Sequence, residues 1–276
     1  MHRHTVPAGV AATPISRYLS RAFPALPGWL IRDTLKKKDI RVNGVKCSAD
    51  ASVRSGDELT LYIDDKYFRA PLKILFENEQ LLITEKPAGI LVDSDQSNIG
   101  SDTMLSRIQA HCPAAQLCHR LDTGTGGVLI SAKTESALQE MTEAFRGHEL
   151  TKKYQCLVAG RPDRPEAKLK DYLIKDANAS KVRIVRSAQP GALTVETHYR
   201  VLGTKNDVSL LEVTLITGRT HQIRAHLSSV GLPLIGDDKY GNREVNRRMN
   251  RSQPALWCTE IRWKDFLFRS NPPFHL

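Results

Sequence analysis

The chain reads as an α+β protein: a mixed, largely antiparallel sheet forms one large domain, and a small α+β unit precedes it. Three observations predict this. A length of 276 residues is enough for one large core with a small appendage. Two short amphipathic helices and a hairpin signal crowd the stretch 13–63. From residue 72 onward, strand-like apolar runs recur with helix-like segments between them, a pattern that on its own also admits an α/β arrangement.

In the small unit, Ile15, Tyr18, Leu19, Ala22 and Phe23 follow the i, i+3, i+4, i+7, i+8 spacing of an amphipathic helix. Arg17 and Arg21 fall on its other side, and Pro24 and Pro27-Gly28 end it. A second helical stretch, Trp29 to Lys38, offers Leu30, Ile31 and Leu35 to a core. It finishes in Lys36-Lys37-Lys38, where positive charge suits the helix dipole. Ile40 and Val42 then alternate with polar residues before Asn43-Gly44, a pair that tolerates positive φ and favours a tight hairpin turn. Leu59, Leu61 and Ile63 write a further strand after the turn Ser55-Gly56-Asp57. Residues 64–71 have no consistent period and close on Pro71, so they read as a linker.

In the large domain, 72–276, strands are expected around Ile74–Phe76, Leu81–Thr84, Val128–Ile130, Tyr154–Val158 and Leu210–Ile216. Helices are expected around Asp102–His111, Thr134–Arg146 and Thr220–Val230.

Hydrophobic residues make up 41% and charged residues 25%, the balance of a folded globular protein, which excludes a disordered or fibrous chain. Lys and Arg number 40 against 30 Asp and Glu, a formal charge of +10. The average field therefore attracts polyanions, with nucleic acid the first to consider, although such charge also serves solubility alone. The five cysteines, Cys47, Cys112, Cys118, Cys156 and Cys258, are odd in number and contain no C-x-x-C pair, which suggests neither a disulfide framework nor a zinc site. No apolar run approaches the roughly 18 residues of a membrane span, and no signal-peptide segment follows Met1-His2-Arg3-His4-Thr5. A soluble, unprocessed, cytoplasmic protein without a membrane partner is expected.

The first chemically suggestive segment is His119-Arg120-Leu121-Asp122-Thr123-Gly124-Thr125-Gly126-Gly127. A carboxylate beside a guanidinium, running into glycines that let backbone approach closely, is plausible site chemistry. Taken alone, Asp122 serves equally well as a turn residue. The segment lacks the terminal Lys-Ser/Thr of a phosphate-binding P-loop.

Three further segments occur with it. Glu85-Lys-Pro-Ala-Gly89 lies upstream and Thr151-Lys-Lys-Tyr-Gln-Cys-Leu-Val158 downstream. Leu215-Ile-Thr-Gly-Arg-Thr-His-Gln-Ile-Arg-Ala-His226 is followed by Gly231-Leu-Pro-Leu-Ile-Gly-Asp237 and Lys239-Tyr-Gly241. In this order and spacing they resemble the RluA-type pseudouridine synthases over essentially all of residues 72 to 270. In the small unit, Ile15-Ser-Arg-Tyr-Leu-Ser20, Lys38-Asp-Ile-Arg-Val-Asn-Gly44 and Ser55-Gly-Asp-Glu-Leu59 resemble the RNA-binding domain named after small-subunit ribosomal protein S-four, over about residues 13 to 63.

The resemblance implies that Asp122 is the catalytic aspartate. It implies that Tyr154 packs on the target uracil and assists proton transfer, and that Arg224 pairs with the catalytic carboxylate. Arg120 would engage the RNA where the target leaves its stack, and His119, Arg219 and His221 would also meet RNA. In the S-four-like domain, Arg17, Arg21, Arg32, Lys36, Lys37, Lys38 and Arg41 would include the phosphate contacts, although any one of the lysines serves as well to solvate a helix end. The chain departs from the family at Gly126, where a serine is common, so that serine's side-chain contact must be absent here.

Isomerising uridine means breaking the bond from base to ribose, turning the uracil and rejoining it through carbon 5 without losing it. A carboxylate can act as a nucleophile or a base on ribose or uracil, and either role requires it ionised. A nearby guanidinium offsets the cost of withdrawing that charge from water. The target nucleotide must leave its stack, at about a few kcal/mol, and an aromatic face returns about 1–3 kcal/mol. The reaction needs no cofactor. Nor is a metal expected at His221 and His226, whose separation of five residues does not share a helical face. The implied partner is RNA, with large-subunit ribosomal RNA preferred over transfer RNA, and the chain is expected to act as a monomer with no obligate protein partner. A non-catalytic RNA-binding or ribosome-assembly protein is the alternative, and it leaves Asp122, Tyr154 and Arg224 without a joint purpose. A carboxylate-dependent glycoside hydrolase would need a second carboxylate about 5–10 Å from the first, and no matching pair is visible.

Overall fold

The computed structural model describes residues 1–23, 26, 28–63, 72–93, 103–176 and 181–276. The expected linker, 64–71, lies outside the described residues, as do Pro24, Pro27 and Asp102. The chain divides into two compact units, residues 1–72 with 93–111, and residues 73–92 with 112–276.

The first unit contains β1 (His2–Thr5), β2 (Thr13–Pro14), α1 (Ile15–Ala22), α2 (Gly28–Lys36), β3 (Ile40–Val42), β4 (Val45–Lys46), β5 (Ser52–Val53), β6 (Glu58–Leu61) and α3 (Met104–His111). Four strands pair antiparallel in the order β1-β6-β3-β4, and β2 pairs with β5. The helical spacing works as written: Ile15, Tyr18, Leu19 and Phe23 are buried with Ile31, Leu35, Ile40, Leu59 and Leu61 in one core. Asn43 (φ 51°) and Gly44 (φ 80°) make the expected left-handed turn between β3 and β4. The second helix stops two residues earlier than expected, because Lys38 turns left-handed (φ 58°) and the next amide, Asp39 N, donates back to Thr34 O at 3.0 Å.

The second unit is built on one large sheet. Its elements are β7 (Lys73–Glu77), β8 (Leu81–Lys86), β9 (Gln116–Leu117), β10 (Gly126–Ala132), α4 (Glu135–Arg146), β11 (Thr151–Ala159), β12 (Glu166–Asp176), β13 (Lys181–Val185), β14 (Leu193–Lys205), β15 (Val208–Leu215), α5 (Gln222–Ser229), α6 (Arg243–Arg248), β16 (Leu256–Trp263) and β17 (Phe266–Arg269). The main path runs β13-β12-β14-β15-β11-β16-β10-β8-β7, with β17 on β16 and β9 on β10. Among the described residues, every pairing in this sheet is antiparallel except β10 with β16, so the α+β class holds and the α/β alternative falls.

Strand β10 is buried on both faces along its whole length. Helix α4 starts where Thr134 Oγ1 accepts from Ala137 N at 3.3 Å, with Glu135 in the first turn to complement the dipole. Among the described residues, no helix is long and apolar enough to cross a membrane.

Candidate active site

Three elements of the second unit converge on one cavity of about 720 Å³: the loop between β9 and β10, strand β11, and the start of α5. That volume lies within the range of small-molecule sites. Asp122 comes from the loop, Tyr154 from β11 and Arg224 from α5, and all three line the cavity together with His119, Arg120, Arg219 and His221.

The loop carrying Asp122 is tied down from two sides. From below, Lys86 at the end of β8 is fully buried and donates to three carbonyls, Pro87 O at 3.1 Å, Thr123 O at 3.0 Å and Thr125 O at 2.8 Å. Burial lowers the pKa of Lys86 to about 7, while the charge of Asp122 pulls it upward. Three acceptors are all satisfied only by the three N–H groups of the ammonium form. Within the loop, the turn is closed by backbone, with Thr125 N donating to Asp122 O at 2.9 Å, so the Asp122 side chain is left for another purpose.

From the other side, β16 presses on the glycines. An added Cβ at Gly126 would lie 2.1 Å from the Trp257 ring, and one at Gly127 (φ 111°) would lie 2.1 Å from Cys258 O. The serine expected at position 126 is therefore replaced by the indole of Trp257, whose Nε1 donates to Ser270 Oγ at 2.8 Å, and Ser270 Oγ donates in turn to Glu85 Oε2 at 2.7 Å. We expect Gly126→Ser to destabilise the protein by about 1–3 kcal/mol through overpacking. In a Trp257→Leu background the same change should cost less, and thermal denaturation of the double-mutant cycle reads the difference.

Arg224 is held by a partner that sequence reasoning did not assign. Its Nε and Nη2 donate to Asp237 Oδ2 and Oδ1 at 2.6 and 2.7 Å, a bidentate pair in which both side chains are buried. Nη2 also reaches Asp238 Oδ1 at 3.3 Å, which leaves Nη1 to face Asp122 Oδ2 at 3.6 Å. Burial opposes both charges, yet the mutual hydrogen bonds and attraction prevail, so the Asp237 carboxyl sits below its ordinary value and the guanidinium above its own. Asp237 further accepts from Lys239 N at 2.9 Å and Tyr240 N at 3.0 Å, fixing the following turn.

Tyr154 is buried, and burial first, then contact with Cys258 and the charge of Asp122, pushes its phenol well above the ordinary value. A neutral phenol on the cavity wall can stack on a base and hold a proton. His119 is committed to packing: its Nε2 accepts from Ile130 N at 3.1 Å and its ring lies 4.9 Å from that of Phe145. Burial, and after it the charge of Lys152, lowers its pKa to about 4, so it meets the cavity as a neutral ring. Arg120 and Arg219 are exposed at the rim.

His221 turns the chain into α5 with a left-handed backbone (φ 54°). Its Nδ1 lies 3.0 Å from Tyr240 Oη, which already accepts from Val182 N at 2.8 Å and so has its own proton to donate. The Nε2 of the neutral ring is then the donor. Gln222 pins this turn, accepting from Arg219 N and Thr217 Oγ1 and donating to Glu196 O and Thr197 Oγ1. His226 is buried, and its two ring nitrogens bond Thr197 Oγ1 and Asp171 Oδ2.

In the first unit, Arg17, Arg21, Arg32, Lys36, Lys37 and Lys38 are exposed. Lys37 pairs with Asp33 at 2.8 Å, and the Arg41 guanidinium lies 5.3 Å from the Tyr62 ring centroid. Sequence reasoning missed Lys86, Phe145, Lys152, Asp237, Tyr240 and Trp257 as parts of the site or its support. All but Phe145 and Trp257 stood inside quoted motifs, but nothing in their spacing said which groups they would touch.

Residues 80–229 match the family model described as RNA pseudouridylate synthase. Similar relatives include ribosomal large subunit pseudouridine synthase C of Rickettsia felis, 30% identical over 261 residues and covering 84% of each chain. The protein of the same name in Haemophilus influenzae is 31% identical, over 86% of this chain and 78% of its own. That of Escherichia coli K12 is 29% identical, over 91% and 83%. Among solved structures, human RNA pseudouridylate synthase domain containing 1 superposes with a TM-score of 0.64 at 23% identity, over 74% of this chain and 84% of that one, a likeness of fold. With the family model spanning more than half of the chain and relatives at this identity along most of its length, the chain belongs to the RNA pseudouridylate synthase family and is an RNA pseudouridine synthase.

Proposed function

We propose that this enzyme isomerises uridine in large-subunit ribosomal RNA, and that Asp122 is its catalytic carboxylate. The observation that carries the assignment is the convergence of Asp122, Tyr154 and Arg224 on one cavity, with Arg224 Nη1 3.6 Å from Asp122 Oδ2. The guanidinium acts here as an already anchored cation. Because Asp237 holds its other nitrogens, it faces Asp122 without having to be ordered during the reaction. An everted uridine enters the cavity, stacks on Tyr154 and presents its ribose and base to Asp122, which serves as nucleophile or base. Arg120 and Arg219 meet the backbone around the opening, where cations position RNA without reading its sequence, and His221 donates to it there from Nε2.

The ribosomal assignment is supported by the names of the relatives and by the basic N-terminal unit. Residues 13–63 act as an S-four-like RNA-binding domain through Arg17, Arg21, Arg32, the Lys36–Lys38 run and Arg41, residues 64–71 link it, and residues 72–276, apart from α3, which belongs to the first compact unit, form the catalytic domain. The enzyme works in the cytoplasm as a monomer with no obligate protein partner. A transcriptome-wide map of pseudouridine in cells with and without the gene tests the substrate. The expected result is loss of at least one large-subunit ribosomal RNA site, and loss confined to transfer RNA overturns it.

A further inference from the structure

We propose that the sheet face formed by β12, β13 and β14 beside the active-site cavity is a second nucleotide subsite, which takes the phosphate and base of a residue flanking the target uridine in the same RNA strand. The inference rests on the assignment of the larger cavity to the target uridine.

Register places four of the lining side chains on one face, and Lys181, the first residue of β13, reaches the same cavity from the strand end. Leu173 lies opposite Leu193 across the β12–β14 pair, and Lys175 lies opposite Val182 across β12–β13. Leu173 and Lys175 are two apart on one strand, so all four project to the same side. Together they line a cavity of about 680 Å³, similar in size to the active-site cavity. The two cavities are neighbours, because Gly218 to His221 and Lys239 line both. Tyr240 joins their walls, its hydroxyl bonded to Val182 N on one side and His221 Nδ1 on the other.

The chemistry of this face suits a nucleotide. Ten described residues line it; Lys175, Lys181, Arg219 and Lys239 are cationic and none is acidic. Its floor is apolar: Leu173 and Val182 are buried in a cluster with Val195 and Ala225, whereas Leu193 is 47% exposed. A leucine left open among lysines offers the flat apolar patch that the face of a base covers, while the lysines meet phosphate. Everting one nucleotide also strips its neighbour of a stacking partner, so a place for that neighbour next to the first cavity lowers the cost of opening the strand.

The test uses the full-length enzyme and total RNA from cells lacking the gene, whose target uridines are unmodified. Wild type is compared with Lys175→Ala/Lys181→Ala, Leu193→Ser and Asp122→Asn. All three test residues of the second subsite are exposed and lie outside the first cavity, so the fold should survive. The double lysine variant is expected to lose about tenfold in kcat/KM with little change in the single-turnover rate at saturating enzyme. The slope of log binding constant against log salt, measured by filter retention of the same RNA, should fall by about 1.4 for two lost phosphate contacts to a single strand. Leu193→Ser should lower kcat/KM several-fold with the slope unchanged. If both variants stay within about twofold of wild type at an unchanged slope while Asp122→Asn is inactive, the second subsite is overturned and the active site stands. Wild-type conversion by Asp122→Asn would bring down the active-site assignment, and this inference with it.

Discussion

Asp122→Asn protein is expected to bind RNA as the wild type does and to convert uridine about 10⁴-fold more slowly or worse, the upper range for loss of an acid–base or nucleophilic group. The amide has nearly the shape of the carboxylate but can neither take a proton at neutral pH nor attack carbon usefully. Folding should be spared. The Asp122 side chain is 25% exposed, the turn around it is closed by backbone, and Arg224 keeps its bidentate partner. A single-turnover assay on RNA from gene-deleted cells separates the two effects. A residual rate within about tenfold of wild type would place the chemistry elsewhere.

The second large effect falls on stability. Asp237→Ala removes the bidentate partner of a guanidinium that is itself buried, and breaking such a pair costs about 3–5 kcal/mol, because the longer contacts to Asp122 at 3.6 Å and to the exposed Asp238 at 3.3 Å do not replace its two short hydrogen bonds. The amides of Lys239 and Tyr240 lose their acceptor at the same time. For a unit of this size, calorimetry should show Tm lower by about 10 °C. Asp238→Ala, by contrast, removes a carboxylate whose side chain is 74% exposed, and its cost should stay within about 0.5 kcal/mol. Activity should fall with Asp237→Ala as well, since the freed Arg224 no longer holds one position opposite Asp122. Equal Tm values for the two variants would show that Arg224 is not held in the way the distances indicate.

Much of this arrangement could be read in the residues. The period of Ile15, Tyr18, Leu19 and Phe23 gave the first helix because one face of that helix meets a core, and Asn43-Gly44 gave its turn because the backbone there is left-handed. Helix α5 was harder to bound, since Gln222 to Leu227 are buried all round and carry no amphipathic signal. Strands β12 and β14 were legible in principle, since Glu166 to Lys170 alternate polar with apolar residues in the strand period, but their high charge hid that period beside the apolar runs of the central strands. At the site, Asp122, Tyr154 and Arg224 were legible through their motifs. The bidentate Arg224–Asp237 pair was not, because the two residues stand thirteen apart and only the fold of the intervening turn decides that they meet. Gly126 was legible as a departure, but its cause, the Trp257 ring, lies on a strand paired across the sheet. Lys86 likewise reads as a surface lysine until three carbonyls are seen around it.

The most direct measurement is a crystal structure of Asp122→Asn protein bound to an unmodified RNA fragment that the wild-type enzyme converts. The target uridine should be out of its stack and inside the cavity, its ring against Tyr154 and its ribose beside position 122 and Arg224. A target base still stacked in the RNA, or lodged away from these three side chains, would contradict the account.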